Sequence, residues 1–371
     1  MHILVVLGTR PEAIKLAPII NNASLISGNF IKVCSTGQHK EMLEQVLTFF
    51  NIKPDYTLQV MRDGQSLSYL SSKILTELTL IVEKEKPDII IVQGDTTTAF
   101  IGALVGFYNK IPVAHIEAGL RSFNMYSPFP EEVNRMLISR LATFHFCPTK
   151  AAVNNLQLEN ISQNVVRVGN TVIDALFMGL EQIKHNKSST FLTYFDFLDF
   201  SKKIVLITAH RRESFGKPFE HICQSITKAA KCFPEVQFVY PVHFNPSVRK
   251  PVFEILSHQK NIFLIDPLKY EHFIWLLSQS YLVLTDSGGI QEEAPSLKIP
   301  VLVMRDVTER MEGVQAGNAK LVGTKEQTIF NHVRTLLTDN SVYHKMIINE
   351  NPYGDGKASD KILRILTEKL R

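Results

Sequence analysis

Short apolar runs alternate with longer amphipathic stretches along the chain. The runs "HILVVLG", "FIKVCSTG", "DIIIVQGD", "IPVAHIEAG" and "FHFCPT" come first. After a polar, Phe-rich stretch around Lys184 to Lys203 the pattern restarts with "KIVLITAH", "VQFVYPVH", "NIFLIDPL", "YLVLTDSGG" and "IPVLVMRD". Runs apolar at successive rather than alternate positions predict strands buried on both faces, and the helical spacers between them predict parallel pairing. The fold class is therefore α/β, with two doubly wound parallel sheets. The first set of strands is complete after "VVRVGN", which divides the chain near Asn170 into domains 1–169 and 170–355. The tail "NPYGDGKASDKILRILTEKLR" breaks at Asn-Pro and Gly-Asp-Gly and then takes helical spacing over 356–371. That spacing suits a terminal helix packed on its own protein better than one binding a membrane or a partner.

Composition narrows the partners. A chain of 371 residues exceeds the size at which single cores stop growing, in keeping with two domains. The net charge of +4, with no block of five Lys/Arg residues, suits an anionic small molecule better than a long nucleic acid. Cys34, Cys147, Cys223 and Cys232 form neither a CxxC pair nor a His/Cys cluster, so they read as reduced thiols of an intracellular protein. No apolar run approaches the ~18 residues of a membrane span. "MHILVVLGTR" lacks the basic leader and cleavage site of a signal peptide and reads as a first strand. A cytoplasmic location, with no membrane or nucleic-acid partner, is the expectation.

In open α/β sheets ligands gather at the carboxyl ends of the strands. There this chain places Gly8-Thr9-Arg10, Gly94-Asp95, His115-Ile116-Glu117, His210-Arg211-Arg212, His243, Asp286-Ser287-Gly288-Gly289 and Arg305-Asp306. Both halves contribute, which points to a cleft between the domains. In "GTRPEAIK", Arg10 and Lys15 can bring positive charge to an anion, although an ordinary βα loop also carries such residues. In "TDSGGIQEEAP", Ser287 is a natural N-cap, and Gly288 and Gly289 let a ligand approach the first N–H groups of a helix. Neither a GxGxxG fingerprint nor a Walker loop occurs, so NAD and a P-loop nucleotide are not expected. Glu292 and Glu293 complement the helix dipole. A carboxylate there also suits the ribose of a nucleoside diphosphate whose phosphates meet the Gly-Gly turn, and Glu293 is assigned to it.

Asp95, Glu117 and Glu131 are candidate proton carriers, Glu131 and Glu132 lying in the first helical turn after Pro130. Taken singly, each also fits a cap or an ion pair. No metal is expected, because the chain has no Asp-x-Asp, HExxH or His cluster. His210, Arg211 and Arg212 follow a buried strand and suit stabilisation of a leaving phosphate. Arg310, in "MRDVTERMEGV", is a further candidate contact on the phosphate or uracil side.

Together these stretches resemble the non-hydrolysing UDP-N-acetylglucosamine 2-epimerases. The likeness runs from "GTRPEAIK" through "TGQHKEML", "VQGDTTTA", "HIEAGLRS", "YSPFPEEVNR", "VGNTVID", "TAHRRESFG" and "SGGIQEEAP" to "NPYGDGKAS". The resemblance implies two Rossmann-like domains in the glycosyltransferase-B arrangement, with the C-terminal helix crossing back to the first domain. It also implies a homodimer that interconverts UDP-N-acetylglucosamine and UDP-N-acetylmannosamine without a cofactor, for bacterial surface polysaccharides. Arg10, Lys15, Asp95, Glu117 and His210 match positions around the substrate. Ser287, Gly288 and Gly289 match the diphosphate site and Glu293 the ribose site. Leu268 and Phe273 match residues framing the uracil, Arg310 another nucleotide contact, and Glu131 and Arg135 residues needed for activity.

The chemistry implied is elimination of UDP to a 2-acetamidoglucal and re-addition with carbon 2 inverted. Val307 and Met311 stand where the family commonly has Thr and Pro. Glu41 and Gly64 stand where members that bind a second UDP-sugar as activator have Gln and Arg. A 2-epimerase of a modified UDP-N-acetylhexosamine and a glycosyltransferase of the same architecture are the rival readings.

Overall fold

The computed structural model describes residues 1–37, 40–60, 62, 64–185 and 188–370, without the side chains of residues 40, 41, 188 and 189. Gln38 and His39 of "TGQHKEML", and the side chain of Glu41, lie outside the described residues. The chain divides into two compact units, Met1–Met178 with Tyr353–Arg371, and Gly179–Pro352.

The first unit holds a parallel sheet of seven strands in the order β3-β2-β1-β4-β5-β6-β7. The strands are β1 His2–Leu7, β2 Phe30–Ser35, β3 Tyr56–Thr57, β4 Ile89–Gln93, β5 Val113–Ile116, β6 Phe144–Cys147 and β7 Val165–Arg167. All five residues of β4 are buried, as are the last five of β1. This is why these segments are nearly continuous in Val, Ile and Leu, since helices cover both faces of the sheet. The second unit holds six parallel strands in the order β10-β9-β8-β11-β12-β13. They are β8 Ile204–Thr208, β9 Gln237–Pro241, β10 Ile262–Ile265, β11 Leu282–Thr285, β12 Val301–Val303 and β13 Ala319–Leu321. Its core gathers Val205, Ile207, Phe238, Leu284 and Leu302 against the amphipathic helix Lys217–Cys232.

Each sheet reverses its strand order once. In the first unit the chain winds outward from β1 to β2 and β3, then returns to lay β4 on the other side of β1. In the second it does the same at β8 and β11. The loops after such a strand pair splay apart and leave a crevice at the carboxyl ends. The loops after β1 and β4 carry Gly8-Thr9 and Gly94-Asp95, and those after β8 and β11 carry Ala209-His210 and Asp286-Ser287.

The boundary differs from the expected Asn170, because the units part inside the helix Thr171–His185, between Met178 and Gly179. The start of that helix is tied to the chain's end. Asp174 accepts from Ala358 N (3.2 Å), Ser359 N (2.7 Å) and Ser359 Oγ (2.7 Å), capping the helix Ala358–Leu370. Asn170 N donates to Tyr353 O at 2.6 Å. The chain thus re-enters the first unit at Tyr353 rather than at residue 356. The last helix buries Ile362, Leu363 and Leu366 there. Among the described residues no helix is long and apolar enough to cross a membrane.

Candidate active site

At the first switch point β1 ends at Leu7 and the helix Arg10–Ser24 begins after the two-residue turn Gly8-Thr9, with Thr9 as its N-cap. A side chain at Gly8 would lie 2.3 Å from Thr36 Oγ1 and 2.4 Å from Thr98 Oγ1, so only glycine fits this turn. Glu12 is buried beneath it. Its Oε2 accepts from Gly8 N (3.1 Å), Thr9 N (2.7 Å) and Thr9 Oγ1 (2.7 Å), and its Oε1 from Thr96 Oγ1 at 2.7 Å. One carboxylate therefore ties the loop after β1 to the loop after β4. Arg10 is the first residue of the helix itself rather than a turn residue. Lys15 reaches from the next turn to Glu117.

Glu117 follows β5 with φ +66°, a left-handed conformation that is uncommon for a side chain of this kind. Its Oε1 and Oε2 accept from Lys15 Nζ at 2.7 and 2.6 Å. Gln93 Nε2 also donates to Oε2, and Asn170 Nδ2 donates to Oε1 at 3.3 Å. The carboxylate is only 5% exposed and the lysine 14%. A strained backbone and three donors fixing one carboxylate are the marks of a preorganised group. Gln93 and Asn170 lie in the quoted stretches "VQGDTTTA" and "VGNTVID", but sequence reading gave neither a role at the site.

Asp95 follows Gly94, whose φ is +73°, and its Oδ2 accepts from Arg135. Asn134 Nδ2 holds the Asp95 carbonyl at 2.9 Å, and Arg135 also meets Glu132 Oε2 at 3.2 Å. Glu131 and Glu132 both open the helix Glu131–Leu141 but have different tasks. Glu132 is buried and accepts from Ser122 N and Phe123 N, each at 3.0 Å. Glu131 is half-buried, and its carboxylate has no hydrogen bond or ion pair among the described residues. His115 belongs to the core rather than to the site. It is fully buried, meets Gly94 O at 2.7 Å through Nε2, and burial pushes its pKa down to about 3, leaving it neutral.

At the second switch point Ser287 is the N-cap of the short helix Gly288–Glu293, but its hydroxyl caps no N–H. The first-turn N–H groups are thus not satisfied by that side chain, contrary to the expectation from sequence. The Ser287 N–H itself donates to Thr285 Oγ1 at 2.9 Å. A side chain at Gly288 would lie 3.0 Å from the Arg310 guanidinium carbon, so Arg310 lies across the Gly-Gly turn. Arg310 Nε donates to Glu292 Oε1 at 3.0 Å. Glu292 lies beyond the first turn and is an ion-pair partner rather than a dipole-complementing acid, which the sequence reading did not foresee. Gly289 has no neighbour within 4 Å of a built side chain and needs no positive φ. Among the described residues nothing demands glycine there.

Tyr270 Oη donates to Glu293 Oε1 at 3.4 Å. Tyr270 opens the helix Tyr270–Ser278, which carries Phe273, and Leu268 is buried just before it. Tyr270 thus links Glu293 to the helix start that carries Leu268 and Phe273. His210 is 43% exposed at the end of the loop after β8, with its ring stacked on His243 at 5.4 Å. Arg305 is buried and paired with Glu213 (2.6 Å) and Glu309 (3.2 Å), so it braces this loop. Among the described residues no three His, Cys, Asp or Glu side chains are arranged to hold a metal ion.

The first unit therefore gathers Lys15 with Glu117 and Asp95 with Arg135, with Arg10 opening the helix after β1 and Glu131 opening the helix whose Asn134 holds the Asp95 carbonyl. The second gathers Ser287, Gly288, Gly289, Glu293 and Arg310. A profile of the family described as UDP-N-acetylglucosamine 2-epimerase matches residues 27–367. The UDP-N-acetylglucosamine 2-epimerase of Yersinia pestis is 51% identical over 369 residues, covering 99% of this chain and 98% of that one. The crystal structure of UDP-GlcNAc 2-epimerase from Neisseria meningitidis bound to UDP-GlcNAc is 49% identical, covers 100% of both chains and has a TM-score of 0.92. That from Methanocaldococcus jannaschii, in complex with UDP-GlcNAc and UDP, is 35% identical with a TM-score of 0.82, covering 99% of this chain and 100% of that one. With identity sustained at this level from end to end, the chain belongs to the UDP-N-acetylglucosamine 2-epimerase family.

Proposed function

We propose that this chain interconverts UDP-N-acetylglucosamine and UDP-N-acetylmannosamine by breaking and remaking the bond between carbon 1 and UDP. Direct removal of the carbon 2 hydrogen is slow, because no ring carbonyl activates it. When the C1–O bond loosens, UDP leaves with the electron pair, positive charge grows at carbon 1, and the carbon 2 hydrogen becomes acidic. A carboxylate takes that proton and 2-acetamidoglucal forms. Protonation of carbon 2 on the opposite face and return of UDP to carbon 1 complete the inversion.

The observation that carries this reading is Gly289. A glycine in a helix, with open space around it and no conformational need, is best explained by a ligand approaching the backbone. The diphosphate fills that space, met by the N–H groups of the Ser-Gly-Gly turn, Arg310 and His210. Each such donor is worth about 2.7–4 kcal/mol at a developing charge. Glu293 receives the ribose hydroxyls, and Leu268 and Phe273 frame the uracil. Arg10 and Lys15 add positive charge near the sugar phosphate.

Asp95, Glu117 and Glu131 divide the proton work. Glu117 is fixed by Lys15, and Arg135 orients Asp95. Glu131, with its carboxylate unengaged, is available to carry a proton. No metal or other cofactor is required, since protein cations and N–H dipoles do the work of a Lewis acid.

The enzyme works in the cytoplasm, where nucleotide sugars are made, as a homodimer, and its product supplies bacterial surface polysaccharides. Leu80, Phe107, Tyr108, Met136 and Leu137 are exposed on three neighbouring helices of the first unit and suit a second copy. Proton NMR of UDP-N-acetylglucosamine with the enzyme in heavy water tests the function. A manno product with deuterium at carbon 2 is expected. Transfer to an acceptor without exchange, or free N-acetylmannosamine, would replace this reading with a glycosyltransferase or a hydrolysing enzyme.

A further inference from the structure

Asp286 follows β11 directly and is fully buried. Its Oδ2 accepts from His210 N at 2.6 Å and Arg211 N at 2.7 Å, so it fastens the loop after β8 to the loop after β11. Its Oδ1 has no hydrogen-bond partner among the described residues and lies 3.6 Å from His210 Nδ1. Fastening the loop needs only one acceptor oxygen, which an asparagine would supply without a buried charge. A buried carboxylate oxygen without a donor is unfavourable unless a cation forms beside it. Among the described residues the ion-pair partner it faces is the imidazole of His210.

We infer that Asp286 is the positioning residue of His210. It holds the imidazole with Nδ1–H turned toward Oδ1 and Nε2 turned outward, and it balances the imidazolium charge as UDP leaves. This rests on the proposed role of His210 at the diphosphate. The arrangement is needed because the other surroundings oppose a cation. Burial holds His210 below its ordinary value, His243 and Arg211 push the same way, and Asp286 acts against them. Tyr240 closes the wall by donating from Oη to Ala209 O at 2.6 Å. His243 is itself fixed, with Nδ1 accepting from Asn245 N at 3.1 Å. At 3.6 Å the two groups are within ion-pair reach without a formed hydrogen bond; in a carboxylate–imidazole pair that closes, the acid sets the tautomer and does not itself take the proton.

The substitution Asp286→Asn keeps an oxygen for the two backbone N–H groups and turns an NH2 toward Nδ1. His210 is then held as the neutral Nε2–H tautomer, still a donor but without charge. The variant should fold, keep KM within about threefold, and lose about 10²–10³-fold in kcat. Its His210 resonance, assigned by its loss in His210→Gln, should titrate at lower pH than in the wild type. Because Asp286 acts through His210, adding D286N to H210Q should change kcat by less than about threefold.

An unchanged His210 titration in D286N, or a full additional loss in the double variant, would overturn the inference. Long-range proton–nitrogen correlation on ligand-free wild-type protein gives a reading that no folding defect can confuse. Above its pKa, His210 should carry its proton on Nδ1, and the Nε2–H tautomer would contradict the pairing. Wild-type turnover of UDP-N-acetylglucosamine is the separate control. Its absence would sink the proposed function while leaving the tautomer result to decide the coupling.

Discussion

Glu117 and Lys15 give the sharpest handle on the first unit. Replacing Glu117 by glutamine preserves shape but removes the charge and sets an NH2 among donors from Lys15, Gln93 and Asn170. With the pair 5% and 14% exposed, an ammonium that loses this carboxylate is largely cut off from water. Removing one partner of a buried pair destabilises by about 3–5 kcal/mol. For a unit of this size, ~2–4 °C per kcal/mol lowers Tm by roughly 10 °C. Lys15→Met should behave similarly, but the double variant should regain about 2–3 kcal/mol, since no uncompensated charge is left. Calorimetry on the four proteins measures this. Turnover of E117Q, followed by NMR at a temperature where it is folded, should fall about 10²–10⁴-fold with KM little changed. Additive losses in Tm, or near-normal turnover in E117Q, would refute the reasoning.

Three further outcomes follow from the structure. Gly289→Ala meets no neighbour and should stabilise the ligand-free protein by about 0.5–1 kcal/mol. It should also weaken UDP binding at least about tenfold by blocking close approach to the backbone, and unchanged affinity by titration calorimetry removes the diphosphate from that turn. Burial raises the Glu12 carboxyl from 4.5 to about 7, against the donors that lower it. The folded state therefore binds that proton more tightly, so the contribution is full below about pH 4.5 and is lost as pH rises to about 7. At about 1.4 kcal/mol per pH unit the loss approaches roughly 3 kcal/mol. Urea unfolding of wild type and Glu12→Gln at pH 5 and 8 should show wild type losing ground at the higher pH; a constant difference contradicts it. Finally, the proposed dimer should be seen for wild type in sedimentation velocity and be lost in Phe107→Ser with Tyr108→Ser; a wild-type monomer contradicts the dimer, and an unaltered dimer in the variant places the interface elsewhere.

The strands were legible because burial on both faces forces continuous apolar runs, and all ten quoted runs contain a strand. The edge strands Tyr56–Thr57 and Ala319–Leu321 were not, being two and three residues long with no apolar run to mark them. The candidate site was readable where backbone topology alone decides, since residues at strand ends fall at the crevices. Pairings were not readable, because they depend on contacts across the sheet. Glu132 looked like a twin of Glu131 and instead holds Ser122 and Phe123. Glu292 looked like a dipole partner and holds Arg310. Glu12 did carry a signal, lying three residues after Thr9 in the spacing of a capping box. The division inside the helix Thr171–His185 left no trace in composition, because a continuous helix has no linker to mark it.

The account turns on whether the bond between carbon 1 and the β-phosphate oxygen breaks. UDP-N-acetylglucosamine carrying oxygen-18 in that bridge, recovered before and at equilibrium, reports it by phosphorus NMR. Cleavage predicts that the label moves into the non-bridging β-phosphate positions as the manno epimer forms. Epimer accumulating with the label still wholly in the bridge would contradict it.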